Sequence, residues 1–460
     1  MNSFKLLSVL FALLILPEFA AAADDVGALR AELQALKSEY GARVDALETR
    51  IQQLEAQAVA SDAAVQAAAQ LPEPPPPPSS PAGGGGASAF NPAISLILGG
   101  SFTNTSRDPG DWNIAGFPPS GGEVGPGERS FNLGESELTV AANIDPYFSG
   151  QLTMALTGEN EIEAEEAFVR TTALPDGFTA KLGRFFSGFG YLNEVHAHAW
   201  DFVDQPLVYQ AMFGGQFKQN GVQVKWIAPT DLFIELGAET GNGDGFPSTR
   251  RARNGLNGAT LFAHVGGDIG DYTSWRTGIS WLDSNAEGRS AGEGEPNEFL
   301  LDSFNGSSHT WVADAVLKWA PSPRRQLKVQ GEYLRRNERG DFILDPTGLA
   351  ALINYHNAQS GWYLQSVYQF APRWRAGVRY DSLDSGDARM VPAGNGAINL
   401  FPFDAQHPDR LSLMLDWNPS EFSRLRAQYD FDDARDDGDI DHILRLQYIY
   451  GIGAHGAHKY

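Results

Sequence analysis

The sequence predicts an all-β chain: a 16-stranded antiparallel transmembrane β-barrel with an N-terminal α-helical coiled-coil extension. Three observations predict it. Long stretches after Phe90 alternate apolar and charged residues with period two. Tryptophans gather at the ends of those stretches. Short turns alternate with longer Gly- and Asp-rich connections, the pattern of a barrel whose two rims differ.

Composition narrows the classes first. The chain has 460 residues, 34 Lys plus Arg against 57 Asp plus Glu, and a formal charge of −23. A mean hydropathy of −0.28 excludes a polytopic helical membrane protein, which needs repeated apolar spans of ~20 residues. With no cysteine there are no disulfides, thiolate metal sites or cysteine nucleophiles. The acidic balance argues against nucleic acid as a partner.

Residues 1–23 read as a signal peptide: Lys5, an apolar run from Leu6 to Leu16, then a small-residue site at Ala20 to Ala23. That run is too short to span a bilayer, and Pro17 ends it. Residues 24–58 carry Leu29, Leu33, Leu36, Tyr40, Val44, Leu47, Ile51 and Leu54, a narrow heptad seam with one irregular step, which suits a coiled coil packing on copies of itself. Residues 59–90 are an Ala/Pro/Gly-rich linker, with Pro74 to Pro78 extended and Gly83 to Gly86 flexible.

Residues 91–460 form the barrel domain. On one segment Leu411, Leu413, Leu415 and Trp417 oppose Arg410, Ser412, Met414 and Asp416. On another, Leu425, Ala427, Tyr429 and Phe431 oppose Arg424, Arg426, Gln428 and Asp430. Trp374, Ala376, Val378 and Tyr380 likewise oppose Arg375, Gly377, Arg379 and Asp381. Strand centres fall near Leu98, Val140, Met154, Phe168, Leu182, Val222, Ile234, Leu261, Ile279, Ala315, Val329, Leu364, Val378, Leu413, Ala427 and Leu446. Short turns lie at Asp145-Pro146, Pro175-Asp176-Gly177, Ala228-Pro229-Thr230, Gly270-Asp271, Ala320-Pro321-Ser322, Ala371-Pro372 and Pro419-Ser420. Sixteen strands with seven short turns put both barrel ends on one side, and a barrel of that size is wide enough for an aqueous channel.

This layout resembles the Gram-negative outer-membrane porins. The segment Lys181-Leu182-Gly183-Arg184-Phe185-Phe186-Ser187-Gly188-Phe189-Gly190 is similar to a motif of the phosphate-selective (O/P-type) porins. In those, a strand ends in Gly-Lys-Phe, two residues follow, then Pro-Phe-Gly; here Arg184 stands for the Lys and Gly188 for the Pro. A coiled coil and linker ahead of a barrel also resemble the periplasmic extension of these porins. The resemblance implies a homotrimer in the outer membrane, coiled coil in the periplasm, in contact with lipid and lipopolysaccharide and passing small hydrophilic solutes or ions. The C-terminal segment Gly451 to Tyr460 departs from the family, with Tyr460 in place of a terminal Phe.

The segment from Phe186 to Gly215 is too apolar for a solvated loop, and by analogy with general porins it folds into the lumen as a constriction. It would bring Glu194, His196, His198, Trp200, Asp201 and Asp204 toward the axis. Alternation points a basic ladder inward: Lys225, Arg276, Lys318, Lys328, Arg375, Arg379, Arg410, Arg424, Arg426 and Arg445. Fewer acids point the same way: Glu235, Glu239, Asp314, Glu332, Asp381, Asp416 and Asp430. Loop acids facing this ladder would set up a transverse field that filters charge and favours anions. Plain wetting of the lumen accounts for the same charges.

His196 and His198 sit two apart, as ligands of a divalent metal can. Packed, hydrogen-bonded imidazoles are the other reading. No cofactor is expected beyond a divalent cation at outer loops such as Asp430 to Asp441. The match Gly288-Arg289-Ser290-Ala291-Gly292 lies in a polar loop, not between a strand and a helix, so no enzyme is expected. Two other functions stay open: a zinc receptor or uptake channel using the His-bearing loop, and a structural envelope tether.

Overall fold

The computed structural model describes residues 92–453, apart from 119, 121–123, 158–160, 250–254, 290–300, 345–350 and 393–404. The expected signal peptide, coiled coil and linker, Ser290 and the terminal residue Tyr460 lie outside the described residues. Among the described residues eighteen strands make a single sheet. In chain order they are β1 (Ala93–Thr105), β2 (Ser130–Leu133), β3 (Ser136–Asn143), β4 (Phe148–Leu156), β5 (Ile162–Thr171), β6 (Phe178–Phe186), β7 (Lys218–Ile227), β8 (Phe233–Gly241) and β9 (Ala259–Ile269). There follow β10 (Thr273–Arg289), β11 (Leu301–Ser322), β12 (Arg325–Leu344), β13 (Ala351–Ala371), β14 (Trp374–Asp384), β15 (Arg389–Pro392), β16 (Asp409–Ser420), β17 (Ser423–Asp433) and β18 (Asp441–Gly453).

Two of these are short spurs. β2 pairs with β1 beyond the β1–β3 register, and β15 pairs with β13 beyond the β13–β14 register. The other sixteen close on themselves, because β1 pairs antiparallel with both β3 and β18. Each strand centre read from the sequence falls in its own strand of these sixteen, and each of the seven short turns joins two neighbours. Closure removes the sheet edge, the only way strands can cross lipid with every backbone group paired.

The polarity is inside out. Leu364, Leu413, Leu415, Leu446 and Ile279 are exposed, whereas Arg379, Arg410, Glu332, Asp381 and Asp416 are buried. A water-soluble barrel would reverse that assignment. Trp226, Trp275, Trp319, Trp374 and Trp417 sit beside the short turns, and Trp374 stacks on Trp417 with ring centroids 6.1 Å apart. Trp281 and Trp311 face each other across β10 and β11 in a second belt. Trp311 and Trp319 are eight residues apart on β11, which at ~3.4 Å per residue and a tilt of ~40° separates the belts by about 20 Å along the membrane normal.

β11, β12 and β13 run 22, 20 and 21 residues, roughly twice what a bilayer requires. Segments expected to be loops are therefore strand, paired to Leu344 on one side and Pro392 on the other. Inside this raised wall Phe304, Phe342 and Tyr355 pack ring on ring, with centroids 4.7–5.7 Å apart. Between Phe186 and Lys218 the chain turns into the lumen. It carries a 3-10 turn (Ala197–Ala199) and one helix, α1 (Leu207–Phe213), all of whose residues are buried.

Candidate functional site

The inward loop is held by three sets of polar contacts, each with its partner on the wall. In the first, wall carboxylates catch loop backbone N–H groups. Glu239 accepts from Gly188 N at 2.8 Å. Glu332 accepts from Leu192 N at 2.9 Å and from the Tyr209 hydroxyl at 2.8 Å. Asp381 accepts from Leu207 N at 3.0 Å and so caps α1, while Arg336 donates to the Met212 carbonyl at the other end at 3.0 Å. Gly190 makes the turn possible. Its φ is +65°, and a Cβ there would collide with Glu332 Oε2.

In the second set the basic ladder catches the loop acids. Lys225 pairs with Glu194 at 2.9 Å. Lys328 and Arg375 hold Asp201 at 2.9 and 3.0 Å. Arg379, Arg410 and Arg445 converge on Asp204 at 2.9, 3.0 and 3.4 Å. Three more ladder residues reach loop carbonyls: Arg276 donates to Gly190, Arg424 to His198 and Trp200, and Arg426 to Trp200, at 2.8–3.2 Å. Burial alone would raise the Asp201 and Asp204 carboxyls. The neighbouring guanidinium and ammonium groups overcome it and hold both below the usual carboxylate range.

The third set was not legible as such. His196 and His198 dock on three glutamates of β3 and β5. His196 Nδ1 is 3.3 Å from Glu137 Oε2 and 3.4 Å from Glu165 Oε2, and its Nε2 is 3.2 Å from Glu166 Oε2. His198 Nδ1 lies 2.6 Å from Glu137 Oε1. Burial pushes the His196 imidazole down, but the three carboxylates outweigh it and hold it well above its ordinary value. Glu165 and Glu166 are neighbours in sequence yet both point inward, because a register shift opposite Thr153 and Met154 makes Glu165 the extra residue of a β-bulge. Strict alternation puts one of two adjacent residues outside, so this pair escapes a period-two reading. Glu137 alternates normally with Leu138 and could have been counted among the inward acids.

Expectation and structure part company on the field. The loop acids do not face the ladder across an open gap; they touch it. Nor are the acids from Asp430 to Asp441 all in an outer loop. Asp430 pairs with Arg445 and Asp432 lies 3.5 Å from Arg410, both inside the barrel, whereas Asp437 pairs outside with Arg107 at 2.6 Å. With Glu137, Glu165, Glu166 and Glu338 also inward, the wall is mixed in sign rather than a pure basic ladder.

Above α1 the first outer connection also folds inward. Ser120 donates to the Gln210 carbonyl at 2.8 Å, Gly125 N to the Gln210 side chain at 2.9 Å, and Trp112 Nε1 to Asp432 at 3.2 Å. Ile114 and Phe117 join Phe189, Leu207, Val208, Met212 and Phe213 in an apolar cluster inside the barrel. Each such side chain fully buried contributes about 1.5–3 kcal/mol, which offsets the cost of ordering the two segments. On the side of the short turns the lumen opens as a vestibule of about 730 Å³. Lys318, Lys328, Arg375 and Arg424 line it with Asp201, Asp268 and Asp271, and Tyr191 and Val195 of the loop close it inward.

No family model matches the chain. A protein of Aquifex aeolicus described as uncharacterized is 32% identical over 401 residues, which is 81% of this chain and 80% of that one. Solved barrels resemble it more distantly. An anion-selective porin from Comamonas acidovorans is 9% identical, with a TM-score of 0.48 over 79% of this chain and 99% of that one. Pseudomonas putida OprB is 13% identical, with a TM-score of 0.48 over 79% and 94%. The outer membrane channel DcaP of Acinetobacter baumannii is 10% identical, with a TM-score of 0.45 over 81% and 100%.

Proposed function

The chain belongs to one family with that Aquifex aeolicus protein, and we propose that it is an outer-membrane porin, a water-filled channel for passive diffusion of small hydrophilic solutes. One observation carries the reading: a closed sixteen-strand wall that is greasy outside and charged inside, with a wet vestibule. Such a wall is stable only in lipid, and its charged interior has no purpose in a dry core.

Anions pass more readily than cations in this reading. The vestibule is lined by four basic side chains, Lys318, Lys328, Arg375 and Arg424, against the three acids Asp201, Asp268 and Asp271. The narrow heptad seam at residues 24–58 supports assembly as a trimer on the periplasmic side. Planar bilayer recording tests all three points. Ohmic current in groups of three equal steps is expected, with a reversal potential in a KCl gradient that favours chloride. Absence of current sinks the channel; a potassium-favouring reversal sinks only the anion preference.

A further inference from the structure

We infer that the constriction loop is clamped to the wall by a first-row divalent cation, with zinc as the fitting probe, held by His196 Nδ1, Glu137 Oε2 and Glu165 Oε2. The inference needs only the barrel and the docked loop, and does not rest on conduction.

These three donor atoms lie within 4.8 Å of one another. The two His196 separations are 3.3 and 3.4 Å. With zinc–oxygen and zinc–nitrogen bonds of ~2.0–2.1 Å, the edge of a tetrahedral site is about 3.4 Å, so two of the three edges are already set. A fourth position is left for water.

Glu165 is 6% exposed, and no hydrogen bond reaches its Oε2 among the described residues. The same holds for His196 Nδ1. Glu165 Oε2 and His196 Nδ1 face each other at 3.4 Å without a hydrogen bond between them, and a buried pair left so is costly. A divalent ion between them satisfies both, and its charge balances the two carboxylates.

Glu166 Oε2 sits 3.2 Å from His196 Nε2, the arrangement that keeps the proton on Nε2 and turns the Nδ1 lone pair toward the ion. His198 Nδ1, 2.6 Å from Glu137 Oε1, orients the other oxygen of that ligand in the same way. The β-bulge then acquires a purpose: it turns Glu165 into the site without removing Glu166 from the orienting position. The cation would tie the loop (His196) to β3 and β5, so it fixes where the constriction sits.

The full-length protein in detergent, stripped with chelator and dialysed, is titrated with zinc chloride, and bound metal is counted per chain. One zinc per protomer is expected, with an X-ray absorption signature of nitrogen and oxygen ligands including one imidazole. Glu165→Gln, which keeps the side chain's size, should lose the site, Glu166→Gln should weaken it 10–100-fold, and His407→Ala on an outer loop should leave it unchanged. Folding of each variant is checked by heat-modifiable migration on a gel. Wild-type protein without stoichiometric zinc, or His196→Ala and Glu165→Gln variants that are folded and bind as the wild type does, would overturn the clamp.

Discussion

At the scale of single residues the site is a set of buried charges that cannot be removed one at a time. Asp204 receives Arg379, Arg410 and Arg445, and Arg410 is wholly buried. Replacing Asp204 by Asn leaves three guanidiniums with one fewer counter-charge in a low-dielectric pocket. Breaking a buried pair of this kind costs about 3–5 kcal/mol, which urea unfolding in micelles should register. Its pH dependence has a definite sign. The folded carboxyl of Asp204 is depressed below its ordinary 3.8, so its contribution is present above that value and lost only as pH falls through the folded value. The stability gap between wild type and Asp204→Asn should therefore be constant from neutral pH to about pH 4 and shrink only below it. A gap already closing near pH 6 would mean that another group controls the loop. Gly190 is the backbone counterpart. Alanine there must adopt a left-handed φ and push Glu332 aside, so Gly190→Ala should lose at least about 1–2 kcal/mol in the same assay.

At the scale of elements, α1 is a helix with no independent reason to exist. Seven residues are far too few to hold a helix in water, where isolated helices shorter than ~12–15 residues are marginal. The wall makes it: Asp381 and Arg336 cap its ends, and Gly361 on β13 leaves room for Val208, whose Cγ2 would lie 2.8 Å from a Cβ there. Replacing residues 207–213 by a Gly/Ser segment should therefore leave a folded, heat-modifiable barrel and raise single-channel conductance, because the strands of the wall pair with one another and not with this helix. An unchanged conductance would place the solute path away from this helix. The same asymmetry explains what the sequence revealed. Strands with one face in lipid and one in water alternate strictly, so Leu413 and Arg410 each declare their side, and the turns declare themselves through Pro, Asp and Gly. The loop's burial was legible too, from Trp200, Phe202, Leu207 and Tyr209 in a stretch that should have been polar. Which wall residues meet it was not, since contacts between Asp204 and Arg445 depend on closure across the lumen. The pair Glu165 and Glu166 was hidden by a bulge, and the inward fold of Trp112 and Ile114 by the ordinary polar composition around them.

At the scale of the whole molecule, function depends on which side of the wall meets lipid, and one substitution tests that side directly. Leu364 is half exposed and pairs with Gly331, which pairs with Ala315, midway between the Trp311 and Trp319 belts. It therefore lies near the bilayer midplane if the outer face is the lipid face. A cation there cannot reach either interface without dragging water in, and the cost in outer-membrane barrels is about 2–4 kcal/mol. Ser274 lines the vestibule, where an added Arg stays hydrated and finds Asp268 and Asp271 nearby. Leu364→Arg should thus lower the folding free energy in phospholipid bilayers by about 2–4 kcal/mol, while Ser274→Arg stays within about 0.5 kcal/mol and shifts the reversal potential further toward anions. In detergent-free buffer neither variant should fold. If Leu364→Arg is tolerated and Ser274→Arg is not, the assignment of faces is inverted, and a wall that keeps its charges away from water has no claim to be a channel.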